Sequence, residues 1–118
     1  MKWPIDPEGQ QSLEDMVRLC RERGIQLIFV FAPEYSEMQS LTKNRQEVFT
    51  GFRELSAKYN VPFWDYSDWK YASDTDFFQN SQHLNEDGAE VFSTDLGSRL
   101  SEYAKANPLF ISALQKTR

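Results

Sequence analysis

The chain has 118 residues, of which 40% are hydrophobic, and this size suffices for one compact core, so residues 1–118 are expected to form a single domain. Its formal net charge is -5, and its basic residues are scattered among acidic ones, which excludes nucleic acid as an expected partner because phosphate binding needs a concentrated positive surface. The longest apolar stretch, Ile25 to Pro33, is far shorter than the roughly 20 residues that cross a bilayer, so no membrane span is expected.

The first predicted helix begins with Asp6 as its capping residue and Pro7 at its first helical position. Apolar residues recur at helical spacing up to Cys20, which is expected to be a small buried side chain, and Gly24 ends the helix. Because Cys20 is the only cysteine, an intramolecular disulfide is excluded. The next segment, Ile25 to Ala32, is almost continuously aliphatic and aromatic, which is typical of a parallel strand covered on both faces.

A polar loop from Glu34 to Thr42 is expected next. A second helix follows, because apolar side chains recur at helical intervals between Val48 and Tyr59, and Asn60 can end this helix in the left-handed conformation. The segment Val61 to Tyr66 predicts another short strand. Two strands with a helix between them predict a right-handed, parallel strand–helix–strand unit.

Residues 67–82 show no sustained period and are predicted to form a loop at the end of the second strand, on the side where open α/β sheets bind ligands. Asn85 is predicted to cap a last helix, which Pro108 ends. The buried stripe of that helix is expected to consist of five residues at helical spacing: Ala89, Phe92, Leu96, Leu100 and Tyr103.

The most informative segment is residues 77–96, with the sequence FFQNSQHLNEDGAEVFSTDL. It resembles the histidine block of the SGNH (GDSL-like) ester hydrolases, in which an Asp and a His three residues apart precede Leu-Asn, then Gly-Ala, and then a helix. Residues 83–85 (HLN) and 88–89 (GA) match this block position for position. The resemblance implies the C-terminal part of a flavodoxin-like α/β fold, with a short parallel sheet flanked by helices, in a parent that cleaves or transfers O-linked acyl groups.

A serine ester hydrolase needs a neutral imidazole held at one nitrogen, so that the other nitrogen can take the proton of the nucleophile and later return it. The resemblance assigns this role of general base to His83. A lone histidine is more often a side chain without chemistry, but this one lies in a predicted ligand-side loop, two residues before the helix cap Asn85. Gly88 is expected to let the first turn of the helix pack closely against its neighbour.

The family usually has its acidic triad member three residues before the histidine, and this position is Asn80 here. The Asn80 carbonyl can accept a hydrogen bond from the imidazole, but it supplies no negative charge, and its amide end could favour the wrong tautomer. In serine proteases, such an Asp-to-Asn change lowers turnover about 10⁴-fold. Asp74 or Asp76 could act as a substitute orienting group, although solvated loop carboxylates are the favoured interpretation.

The family's Gly-Asp-Ser-like nucleophile turn and its oxyanion donors are not recognisable. The serines nearest the expected site, Ser36, Ser67 and Ser81, do not lie in a strand–turn–helix elbow, so the chain alone is expected to be inactive. The intact parent is expected to act on a small-molecule or glycan ester, without a cofactor, and family members often act outside the cytoplasm. The alternative hypothesis is a module that has lost its chemistry and binds a glycan or a protein partner.

Three weaker interpretations concern metal binding, ring stacking and association. Four carboxylates (Asp65, Asp68, Asp74 and Asp76) lie near His83 in sequence, but their spacing matches no metal loop, so no metal is predicted. Six aromatic residues between Trp64 and Phe78 could form a sugar or acyl platform, although such residues more often cover the core. A hydrophobic strand in a sheet of so few strands leaves an apolar edge open, which predicts self-association.

Overall fold

The computed structural model describes residues 5–107, and it has a mixed helix and strand architecture with a small parallel sheet flanked by helices. The α/β expectation is therefore confirmed. In chain order, the elements are α1 (Pro7–Glu22), β1 (Phe29–Phe31), α2 (Ser36–Leu41), α3 (Arg45–Tyr59), β2 (Phe63–Asp65), a 3₁₀ turn (Thr75–Phe77), β3 (Phe78–Asn80), β4 (His83–Leu84) and α4 (Glu86–Ala106). Strands β1 and β2 pair in parallel, whereas β3 and β4 form a separate antiparallel pair.

The predicted helix boundaries rest on local chemistry that the structure confirms. The Asp6 carboxylate accepts a hydrogen bond from the backbone N–H of Glu8 at 3.0 Å, which satisfies one of the free donors at the start of α1. Gly24 and Asn60, which follow α1 and α3, both adopt a positive φ, at 66° and 53°. Glycine and asparagine tolerate this left-handed backbone better than other residues, so each allows the chain to leave a helix and turn towards the sheet.

The strands are shorter than the sequence pattern predicts. Only Phe29–Phe31 and Phe63–Asp65 have strand geometry, within the expected segments 25–32 and 61–66. The expectation that the first strand is covered on both faces is wrong, because Val30 is 40% exposed and Ile25 is 54% exposed. Val30 pairs with Trp64 and lies on the same face of the sheet, where α4 covers Trp64 through Tyr103 but leaves Val30 exposed.

Aromatic side chains form the core on both faces of the parallel pair. On one face, the Phe49 ring of α3 lies 4.6 Å from the Phe31 ring and 6.1 Å from the Phe63 ring. On the other face, the Tyr103 ring of α4 contacts the ring of Trp64 at 5.7 Å in an edge-to-face arrangement. The parallel sheet therefore lies between α3 and α4. The loops after β1 and β2 begin at its carboxyl edge.

Several finer expectations differ from the structure. The predicted polar loop after β1 contains the short helix α2, and the predicted loop 67–82 contains the 3₁₀ turn and β3. Ala89 and Leu100 are exposed rather than buried, because α4 packs through the side of the helix that carries Phe92 and Tyr103. Cys20 is only partly buried. The predicted helix end at Pro108 lies outside the described residues.

Candidate functional site

The hairpin formed by β3 and β4 lies beside the segment that follows β1. The backbone N–H of Tyr35 donates to the carbonyl of Ser81 at 3.1 Å, and the Tyr35 ring lies 5.6 Å from the ring of Phe78. His83 is the first residue of β4 and is exposed to solvent. The hairpin that carries His83 is thus linked, through Ser81 and Phe78, to Tyr35 in the segment that follows the carboxyl end of β1.

The side chain of Asn80 fixes the proton position on the His83 ring. Its Oδ1 atom accepts hydrogen bonds from the backbone N–H groups of Gln82 and His83, both at 2.9 Å, and lies 3.0 Å from His83 Nδ1. Backbone N–H groups only donate, so the Asn80 atom that faces them is its carbonyl oxygen and not its amide nitrogen. Nδ1 of the neutral ring must then carry the proton, and Nε2 presents its lone pair to solvent.

The start of α4 anchors this turn. Asn85 Oδ1 accepts from the backbone N–H of Gly88 at 2.8 Å, and the Asn85 backbone N–H donates to the carbonyl of Phe77 at 2.9 Å. A Cβ atom at Gly88 would overlap that same Phe77 carbonyl oxygen. The predicted roles of Asn85 as cap and of Gly88 as a close-packing position are both confirmed, and together they join the helix start to the strand that carries Asn80.

The carboxylates considered as substitutes for the missing acid do not reach the imidazole. Asp74 Oδ1 accepts from the backbone N–H of Asp76 at 2.9 Å and caps the 3₁₀ turn. Within the part of the chain that the structure describes, the His83 ring makes its side-chain hydrogen bond to Asn80 and to no carboxylate. Ser67 Oγ is bonded to Asp65 and to Arg45, and within residues 5–107 the ring contact of His83 is to Asn80 rather than to Ser36, Ser67 or Ser81.

A second polar cluster at the same edge of the sheet could not be inferred from sequence. Arg45, at the start of α3, forms an ion pair with Glu34 at 2.7 Å, and the two side chains are only 14% and 9% exposed. The Arg45 guanidinium also lies 4.4 Å from the centre of the Phe49 ring and donates to Ser67. The cluster joins the segment after β1 to the segment after β2, and its members are too far apart in the chain for a sequence pattern to indicate it.

The aromatic residues of loop 67–82 pack against one another. Trp69 is 6% exposed, its ring lies 5.2 Å from the Tyr71 ring and 5.9 Å from the Phe92 ring, and its indole N–H donates to Asp95 at 2.9 Å. Trp64 is equally buried. Buried rings offer no free face for stacking, so these two tryptophans cover the core, as the simpler interpretation expected.

No group of three or more His, Cys, Asp or Glu side chains within residues 5–107 is arranged to hold a metal ion. None of the helices in this range is long and apolar enough to span a membrane. Comparisons of the chain with protein-family models, with curated proteins and with solved structures returned no match.

Proposed function

We propose that this chain is the histidine-bearing, C-terminal part of an SGNH-like ester hydrolase or acyltransferase with flavodoxin-like layers, in which His83 is the general base and Asn80 orients it. The observation that carries the proposal is the geometry of the Asn80 side chain, whose Oδ1 atom is held by two backbone N–H groups and faces His83 Nδ1. A base with its lone pair on Nε2, exposed beside the end of a parallel strand, has the tautomer and the access that ester hydrolysis requires.

In the proposed reaction, His83 Nε2 accepts the hydroxyl proton of a serine nucleophile supplied by a part of the parent outside residues 1–118. It then donates this proton to the leaving alcohol as the acyl–serine ester forms. In the second step, His83 Nε2 accepts a proton from the water that attacks this ester, and donates it to the serine oxygen as the acid leaves. Asn80 keeps the ring oriented throughout, but a neutral amide gives no Coulomb stabilisation to the imidazolium that forms. Turnover is therefore expected to be up to about 10⁴-fold lower than that of a family member with an Asp at the position of Asn80.

A second candidate function is a binding module whose hydrolase chemistry has been lost. The neutral Asn80 at the family's acidic position is the observation that favours it. Its partner would be a protein or a glycan, and stacking on a sugar ring would fall to partly exposed rings such as Tyr71 and Phe78, because Trp64 and Trp69 are buried.

Ester hydrolysis assays separate these functions. Residues 1–118 alone are expected to show no turnover of p-nitrophenyl acetate above buffer. The longest natural polypeptide that contains residues 1–118 is expected to hydrolyse it, to lose at least about 10²-fold in kcat with His83→Ala, and to gain with Asn80→Asp. Equal rates for the wild type and His83→Ala would exclude His83 as the base. Activity of residues 1–118 that His83→Ala abolishes would instead place the nucleophile within this chain.

A further inference from the structure

A groove of about 470 Å³ lies between α1 and α3, away from the His83 hairpin. Apolar side chains from both helices form its floor: Leu13, Val48, Phe52 and Leu55. Gly51 lies in the middle of this floor, and the atom nearest to the position of a Cβ there is Gln10 Nε2, at 4.0 Å. The missing side chain therefore keeps the groove open at its centre.

The rim of the groove is acidic. Asp6, Glu47 and Glu54 line it, and within residues 5–107 none of these three carboxylates forms a salt bridge. Lys58 is the cation in the lining, and Glu14, which also lines the groove, lies 3.4 Å from it. An apolar floor between unpaired carboxylates is complementary to a ligand that combines an apolar stripe with positive charges.

We propose that this groove binds a basic amphipathic helix of a partner protein, with the apolar stripe of that helix on the floor and its Lys or Arg side chains against Glu47 and Glu54. An apolar groove between two helices is a surface on which amphipathic helices dock. The acidic rim disfavours the same groove of a second copy as the occupant, because the carboxylates of the two rims would repel each other. The inference does not depend on the proposed hydrolase function.

The direct test uses a fluorescently labelled helical peptide of about four turns, with Leu at every third or fourth position and Lys elsewhere. Fluorescence anisotropy with residues 1–118 is expected to give a Kd in the micromolar range at low salt, weakening as salt rises. A matched peptide in which Glu replaces every Lys is expected to bind at least about tenfold more weakly. Equal binding of the two peptides would overturn the proposal.

Two variants test the location of the peptide. Gly51→Leu fills the open centre of the floor and is expected to weaken binding by at least about tenfold, whereas Gly97→Leu, on α4 with no atom within 4 Å of its Cβ position, is the matched control. Thermal unfolding by circular dichroism verifies that both variants fold. Equal affinity of the wild type and a folded Gly51→Leu variant would place the peptide elsewhere and overturn the proposal.

A double variant with Glu47→Gln and Glu54→Gln tests the contribution of charge. It is expected to bind the Lys peptide several-fold more weakly than the wild type, and its affinity is expected to depend less on salt. Glu86→Gln with Glu90→Gln, on α4, makes the same change in net charge away from the groove and is expected to leave binding unchanged.

Two further outcomes would overturn the proposal. A wild-type dimer that Gly51→Leu dissociates would assign the groove to a second copy, and peptide binding seen only after Trp3→Ala would assign it to the chain's own residues 1–4.

Discussion

The indole Nε1–H of Trp69 donates to the Oδ2 atom of Asp95 at 2.9 Å, which joins the loop after β2 to the middle of α4. Both side chains are at least partly buried, so the charge-assisted hydrogen bond is protected from water. We predict that Trp69→Phe and Asp95→Ala couple by about 1.5–3 kcal/mol in a double-mutant cycle of urea unfolding. Strictly additive losses of stability would show that this bond does not hold the loop on the helix.

Gly88→Ala is predicted to destabilise the fold by about 1–3 kcal/mol, because the new methyl group overlaps the Phe77 carbonyl oxygen at the start of α4. Gly97→Ala is the control, since nothing lies within 4 Å of its Cβ position, and it is expected to stabilise α4 by up to about 1 kcal/mol. Chemical denaturation of both variants measures the difference. A Gly88→Ala variant as stable as Gly97→Ala would contradict the close approach of these two segments.

Removing the cation of the buried pair is predicted to cost more than removing both charges. Arg45→Met leaves the Glu34 carboxylate, which is 9% exposed, without its counter-ion, and the expected loss is about 3–5 kcal/mol. Adding Glu34→Gln to this variant removes the uncompensated charge and is expected to recover part of the stability. The test compares the free energy of unfolding of the double variant with that of Arg45→Met alone. A further loss of stability upon the second substitution would contradict the prediction, because it would mean that water solvates Glu34 when Arg45 is absent.

The tautomer of His83 is predicted to depend on residue 80. Long-range ¹H–¹⁵N spectra of the neutral ring in the wild type are expected to show the proton on Nδ1, because Asn80 Oδ1 accepts it. Asn80→Asp retains this acceptor and should keep the tautomer, whereas Asn80→Ala removes it and should shift the ring towards the Nε2–H form. A wild-type spectrum dominated by Nε2–H would remove the basis for His83 as a base.

Self-association is predicted through the open edge of β1. Val30 is 40% exposed at the centre of this strand, and within residues 5–107 only β2 pairs with it. Sedimentation at micromolar concentration is expected to show a species heavier than 13.8 kDa, and Val30→Lys is expected to return it to the monomer because a charged edge resists pairing. Leu41→Lys, at a more exposed position on α2, is the control and is expected to leave the self-association unchanged. A wild-type monomer would contradict this prediction.

The sequence predicted α1, α3 and α4, though not the short α2, together with the starts of α1 and α4 and the end of α3, because these depend on residues that are close in the chain. Asp6, Asn60 and Asn85 each act through their own backbone torsions or through hydrogen bonds to residues at most three positions away. The pair Asn80 and His83 was predictable for the same reason, since the turn that joins them is local.

The sequence failed where distant segments decide the outcome. An aliphatic run predicts a covered strand, but the cover of Val30 depends on whether a helix packs over that face of β1, which local periodicity does not encode. The ion pair of Glu34 and Arg45 has no sequence signature, because its partners meet only after α3 has docked. The floor of the acidic groove likewise combines residues of α1 and α3, and neither helix alone indicates it.

The parallel pairing of Phe29 with Phe63 also has a consequence for how the chain folds. These strands can meet only after the intervening segment, which contains α2 and α3, has closed into a loop, whereas each helix forms from neighbouring residues. Closure of this loop is therefore expected to limit the folding rate. Truncating Phe49, whose ring contacts those of Phe31 and Phe63, should slow refolding as well as accelerate unfolding, because this side chain of α3 contacts both strands.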